Sequence, residues 1–275
     1  MVRRLIPRRR FENFVFIVGA QKAGTSSLHA YLVQHPDIVG ACVKETHFFN
    51  REIQYAKGFS YYMAHFPSFS FAKYVLDATP AYLYSSKAPE RIRAFSPKAK
   101  IVILLREPVA RAFSAFNMYS QAVGSEHFKS HLLDANSNSR LFYLPIADGK
   151  INPDIDYFLE REKRIIAGEA AGDEPALIRR GIYAPQIQRY LDLFGPENVL
   201  VLFSEDLRRQ TPLTVNRVFD FLGLDHLDDI ELEQKHVRDY SADPAAKEEI
   251  QAYAAGLFAQ DRQELIEKYH LDVPW

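Results

Sequence analysis

The sequence predicts an α/β fold: a doubly wound parallel sheet flanked by helices, in a single domain. Three observations lead there. Four short β-rich runs, Phe14–Gly19, Tyr74–Asp77, Lys100–Leu105 and Asn198–Phe203, are nearly continuously apolar, as strands covered on both faces are. Helical patterns lie between these runs, and strands alternating with helices build βαβ units. The length, 275 residues, suits one large domain and can bury a substantial core without disulfides or metals.

Taken in order, the chain opens on a basic tail, residues 1–12, beginning "MVRRLIPRRR". It reads as a solvated segment, with a weak contact to an anionic surface as the alternative. The apolar run from Phe14 is too short for a signal-peptide core, and no stretch approaches the roughly 20 apolar residues of a membrane span. After Gly19 comes a polar loop, then "TSSLHAYLVQH", which puts Leu28, Tyr31, Leu32 and His35 on one side of a helix. "APERIRAF" and "PVARAFSAFNMY" follow the second and third runs. "YAPQIQRYLDLFG" precedes the fourth and ends on Gly195, a good helix stop. The stretch from about 120 to 180 differs. "DANSNSR", "IADGKINPD" and "AGEAAGDEPA" are rich in turn formers, and one helical piece, "DYFLEREKRIIAG", carries an "EREKR" run that reads as a solvated face. Too long for a simple connection, this excursion is expected to form a lid or a wall on the acceptor side.

Composition narrows the function. A net charge of −1 does not suit a nucleic-acid-binding molecule. A single cysteine, Cys42, forbids an internal disulfide and fits a reducing, cytoplasmic compartment. No HExxH and no close His/Cys/Asp cluster suggests a metal.

The stretch "FVFIVGAQKAGTSSL" carries the most chemistry. An apolar run stops at Gly19, and a helix starts after Gly24. Such a turn aims backbone N–H groups and the positive end of the helix dipole at one point, where a phosphate compound can sit. Gly19 and Gly24 permit a tight path, and Thr25, Ser26 and Ser27 add hydroxyls. The two glycines have the spacing of the ATP-type loop GxxxxGK[ST], but Thr25 follows Gly24 and the lysine is Lys22, at the crown of the loop.

With further motifs in order, the sequence resembles the sulfotransferases that use 3′-phosphoadenosine 5′-phosphosulfate (PAPS), in particular the heparan-sulfate-type, carbohydrate branch. "QKAGTSSL" resembles their 5′-phosphosulfate loop. "KETHFFN", Lys44–Asn50, resembles their "KExHFF" motif, and "DATPAYLY", Asp77–Tyr84, their "EKSPxY" segment. "KIVILLREPVARAFSAF", Lys100–Phe116, resembles the strand–loop–helix that holds the 3′-phosphate. "RGIYAPQIQRYLDLF", Arg180–Phe194, resembles the "GxYxxxLxxW" helix, and "DRQELIEKYHLDVPW" the last helix with its closing tryptophan.

The resemblance implies a P-loop-like fold, PAPS as sulfuryl donor, 3′,5′-diphosphoadenosine (PAP) as product and no metal. Lys22, Ala23, Gly24, Thr25, Ser26 and Ser27 would hold the 5′-phosphosulfate, with Lys22 stabilising charge on the bridging oxygen. Glu45 would be the general base. His47, which shares a face with Glu45 if the segment is extended, would orient the acceptor or relay the proton, although a structural histidine leaves the same trace. Lys44 reads equally as a ligand contact or a solvated lysine, and Phe48 and Phe49 as packing. Arg106, at a strand's carboxyl end where ligands bind in such sheets, and Ser114, eight residues on, would grip the 3′-phosphate. Arg111 is the local competitor, but falls inside the helix. Tyr183 matches a family tyrosine near the adenine and reads equally as a core aromatic.

Departures exist as well. Ala78 stands where the branch often has lysine. A Lys-Gly-Arg-x-Tyr stretch is reduced to "HVRDY", His236–Tyr240, leaving Arg238 as its remnant at the 3′-phosphate. The branch's late cysteines are missing. The acceptor is expected to be a hydroxyl or amine of a carbohydrate, lipid or small molecule. Competing readings are a P-loop kinase or NTPase, which needs lysine after Gly24, and a non-catalytic nucleotide- or glycan-binding protein on the same fold.

Overall fold

Five strands, β1 (Asn13–Gly19), β2 (Ile38–Gly40), β3 (Tyr74–Ala78), β4 (Lys100–Leu105) and β5 (Val199–Phe203), pair in the order β2-β3-β1-β4-β5, every pair parallel. The structure is a computed structural model that describes residues 13–67, 71–121, 126, 137–170, 174–227, 229–232 and 244–275. After their first residues, Asn13 and Lys100, the central strands are buried throughout, as their unbroken apolar runs predict. Phe16, Ile17 and Val18 of β1 and Ile101 to Leu105 of β4 have no exposed surface. Each such side chain contributes about 1.5–3 kcal/mol of burial, so these runs anchor the sheet. The short edge strand β2 has no counterpart among the four runs read from the sequence. Three residues with a half-buried Val39 are too few to form a visible pattern.

Helices fill the connections. α1 (Thr25–Leu32) follows β1, α2 (Glu52–Tyr55) and α3 (Phe59–Met63) lie between β2 and β3, and α4 (Ala81–Tyr84) and α5 (Ala88–Phe95) lie between β3 and β4. α6 (Pro108–Ser120) follows β4. The predicted inner side of the first helix is buried: Leu28, Tyr31, Leu32 and, just beyond its end, His35. Gly195, at φ 76°, ends the helix Ala184–Phe194 in a conformation that favours glycine.

The excursion between 120 and 180 is built, where described, from the helices Ser137–Ala147 and Ile155–Ile166. They pack with α6 and the last helix, Pro244–Glu267, around a second apolar cluster that includes Phe116, Ile146, Phe158 and Ile250. Here the reading of "EREKR" as a solvated face is corrected. Glu160, Lys163 and Arg164 are exposed, but Glu162 is completely buried. Its carboxylate accepts the N–H groups of Ile178 at 3.0 Å and Arg179 at 2.8 Å, and lies 3.5 Å from Nε of Arg179. A turn of buried backbone needs acceptors, and an inward glutamate supplies two.

The chain leaves β1 for β2 and β3 on one side of the sheet, then crosses to β4 and β5 on the other. The winding reverses between β1 and β4. In such sheets the crevice outside the carboxyl ends of those strands is where ligands bind.

Candidate active site

The loop after β1 enters this crevice. Just past the strand, the N–H of Ala20 donates to the carbonyl of Leu104 at 2.6 Å, tying the loop to β4. Gly19 is required by contact: a Cβ there would lie 2.5 Å from Cβ of Leu83, on α4. Lys22 at φ 70° and Gly24 at φ 100° turn the loop through left-handed conformations, which for a lysine is a strained position of the kind found at functional sites. α1 begins after Gly24 with no side-chain cap, so the first amides of the helix and its dipole face the crevice. Ala23 and Thr25 are buried, Ser26 and Ser27 half-buried, and Gly24 exposed. Ala23 therefore offers a ligand its backbone alone.

Arg106 follows β4 directly. Its Nη1 donates to the carbonyl of Lys22 at 2.9 Å, bridging the crevice. Its Nε is buried with no partner among the described residues, a donor whose desolvation they do not offset. An anion in the crevice would satisfy it. α6, by contrast with α1, is already capped: Glu107 accepts from Val109 N at 2.9 Å and Ala110 N at 2.6 Å. An anion on this side would therefore meet side chains rather than the α6 N-terminus. Ser114, two turns along α6, is buried. Arg111 is fully buried and donates from Nη2 to the carbonyl of Leu177 in the second core, with burial lowering its pKa.

Tyr183 is likewise completely buried, and its hydroxyl donates to the carbonyl of Arg106 at 2.7 Å. The side chain has no surface with which to face a nucleotide; it sits behind Arg106. Arg238 lies outside the described residues, as does the "HVRDY" stretch around it.

The "KETHFFN" segment runs as an irregular loop, not as the extended strand that would put Glu45 and His47 on one face. Glu45 at φ 62° and His47 at φ 52° are both left-handed, and these two turns bring the side chains together by another route. His47 Nε2 lies 3.6 Å from one oxygen of Glu45, and Lys44 Nζ lies 2.6 Å from the other. His47 Nδ1 is 3.3 Å from Oδ1 of Asn50. Glu45 remains open to solvent, while His47 is more enclosed. Phe48 and Phe49 are buried in the core, as packing residues are.

A buried cluster around Asp77, at the end of β3, holds this loop. Asp77 Oδ2 accepts from Thr46 Oγ1 at 2.8 Å, Tyr82 OH at 3.0 Å and Tyr62 OH at 3.2 Å, and Oδ1 accepts from Thr79 Oγ1 at 2.7 Å. Burial pushes the Asp77 carboxyl up, and the four hydroxyls pull it back. Thr46 stands between Glu45 and His47, so the cluster fixes the backbone that carries both. These supports escaped the sequence reading, although "DATPAYLY" contains three of the residues involved. Ala78, in place of the branch's lysine, is buried in β3 against Ile17.

The structure thus joins Lys22 to Arg106 and Glu45 to His47. Among the described residues, no group of three or more His, Cys, Asp or Glu side chains is gathered as for a metal ion, and no helix is long and apolar enough to cross a membrane.

Residues 12–257 match the family described as "Sulfotransferase domain". A human heparan sulfate glucosamine 3-O-sulfotransferase 6 is 30% identical over 218 residues, covering 79% of this chain and 54% of that protein. A human bifunctional heparan sulfate N-deacetylase/N-sulfotransferase 3 is 29% identical over 215 residues, covering 76% of this chain but 22% of that protein. The chain therefore spans between about a fifth and a half of the length of these relatives. Among solved structures, a sulfotransferase from Alicyclobacillus acidocaldarius is 30% identical with a TM-score of 0.63, covering 94% of this chain and 96% of that one.

Proposed function

The chain belongs to the sulfotransferase family, and from that premise we propose that it transfers a sulfuryl group from PAPS to a hydroxyl or amine of a carbohydrate acceptor. The observation that carries this reading is the pairing of Lys22 and Arg106 across the β1/β4 crevice, beside the uncapped start of α1. PAPS has a phosphosulfate at one end and a 3′-phosphate on its ribose. The α1 amides with Lys22 suit the first, and the unpartnered Nε of Arg106, with Ser114, suits the second.

In the proposed reaction the bond from sulfur to the bridging phosphate oxygen breaks, and a bond from sulfur to the acceptor oxygen or nitrogen forms. Lys22 would stabilise the negative charge that collects on the departing phosphate oxygen. Glu45 would take the acceptor proton. Lys44 at 2.6 Å holds one oxygen of the Glu45 carboxylate, and His47 lies 3.6 Å from the other, so the group is oriented before an acceptor arrives. Its openness to solvent suits an acceptor that reaches it from outside. The carbohydrate class is proposed from the relatives, whose names include both O- and N-sulfotransferases of heparan sulfate.

The test is a screen of sugar, lipid and small-molecule acceptors with PAPS, read by mass spectrometry for an added sulfuryl group. The wild type is expected to modify a saccharide, and Glu45→Gln to leave it unmodified. Addition only to non-sugar acceptors would overturn the acceptor class, and no addition to any would overturn the activity.

A further inference from the structure

Arg106 is held by more than its strand. Four parts of the chain, distant in sequence, meet in one run of hydrogen bonds. Asp261, buried on the last helix, accepts the N–H of Tyr183 at 2.9 Å through one oxygen and the N–H of Ala184 at 2.8 Å through the other. Those amides open the helix Ala184–Phe194. The Tyr183 hydroxyl donates to the carbonyl of Arg106 at 2.7 Å, and Nη1 of Arg106 donates to the carbonyl of Lys22 at 2.9 Å. The last helix is thereby coupled to the loop proposed to hold the phosphosulfate.

We propose that Asp261 and Tyr183 are positioning residues for the 3′-phosphate: together they fix the strand end from which Arg106 reaches it. This rests on the donor reading above. A guanidinium recognises a phosphate only when its fork is aimed, and aiming depends on the backbone from which the side chain springs. Tyr183 sets that backbone, and Asp261 sets Tyr183. A carboxylate is suited to the task because its two oxygens take two amides at once, whereas an asparagine has a single acceptor oxygen. The carboxylate is retained at a cost. Desolvation raises its pKa to about 6, with nearby Glu264 adding to the rise, while the two amides oppose it. Tyr183 thus acts through Arg106, not by touching the adenine ring, and the two roles give different results.

The experiment compares binding of adenosine 3′,5′-bisphosphate and adenosine 5′-monophosphate, which differ only in the 3′-phosphate, to the wild-type chain and to Tyr183→Phe, Asp261→Asn and Arg106→Ala. The wild type should prefer the 3′-phosphorylated nucleotide. Tyr183→Phe and Asp261→Asn should each cut that preference by about three- to tenfold, the scale of one lost hydrogen bond, with 5′-monophosphate affinity falling less than that of the bisphosphate. Arg106→Ala should cut it further. Retained preference in both variants would overturn the positioning role, as would equal weakening for the two nucleotides, which is the signature of an adenine contact or a general loosening. Should Asp261→Asn fail to fold, Tyr183→Phe, which removes one oxygen, decides alone. A wild type without any preference would instead overturn the donor reading itself.

Discussion

Arg106 and Lys22, 84 residues apart, are joined by one hydrogen bond of 2.9 Å from guanidinium to carbonyl, and that bond spans the point where the sheet reverses its winding. It commits one arm of the Arg106 fork to the loop and leaves Nε buried for another acceptor. A lysine has three donors, but on one nitrogen at the end of a flexible stem, so it cannot reproduce the fixed spread of the fork. Arg106→Lys is therefore expected to weaken PAP binding by about 1.5–3 kcal/mol, the range for hydrogen bonds to charged groups. Titration calorimetry would measure it. The KM for the acceptor should change little, and equal losses for donor and acceptor would count against the assignment.

Lys22 and Glu45 should separate binding from chemistry. Glu45→Gln keeps the shape but removes the proposed base, so nucleotide affinity should hold while kcat falls by about 10²- to 10⁴-fold. Lys22→Ala should lower kcat by at least about 10²-fold. Single-turnover rates with saturating PAPS read both effects, and an unchanged rate for Glu45→Gln would remove it from the role of base.

Asp77 tests whether the proposed base is held from behind. Asp77→Ala removes the acceptor of four buried hydroxyls: Thr79 and Tyr62 lose it, and Thr46 and Tyr82 keep only each other at 2.8 Å, which should cost on the order of 3 kcal/mol. Asp77→Asn keeps an acceptor and removes a charge that burial already disfavours, so its cost should be nearer 1 kcal/mol. Urea unfolding midpoints distinguish them, and equal losses would contradict the hydrogen-bond account.

Glu162 gives a pH dependence with a definite sign. Burial, the largest influence, raises its carboxyl from 4.5 to about 7, against the amides of Ile178 and Arg179 and the charges of Arg179 and Arg111. The folded chain holds this proton more tightly than the unfolded chain. The stability it confers is complete below about pH 4.5 and is lost as pH rises through about 7. The amount is on the order of 3 kcal/mol. Glu162→Gln does not titrate, so its Tm should gain on that of the wild type across this window. A difference independent of pH would refute the prediction.

The sheet was legible because β1 and β4 are buried on both faces, and such strands show as plain apolar runs. β2 was not, because three edge residues make no pattern. Lys22 and Arg106 could be named because a glycine-bounded loop and a strand end both leave local marks. Positions set by distant partners left none. Glu162 lies in a charged run and reads as solvated until Ile178 and Arg179 are folded over it. Tyr183 and Asp261, 78 residues apart, have no shared motif to announce their bond. The left-handed turns at Glu45 and His47 were hidden too, since nothing in "KETHFF" distinguishes them from an extended segment.

Donor recognition is tested most directly by equilibrium binding of PAP against ATP–Mg²⁺ to the same preparation, because it requires no knowledge of the acceptor. If Lys22 and Arg106 hold the donor as proposed, PAP should bind well and ATP–Mg²⁺ far more weakly. Strong binding of ATP–Mg²⁺ with little or none of PAP would contradict the proposed function at its base.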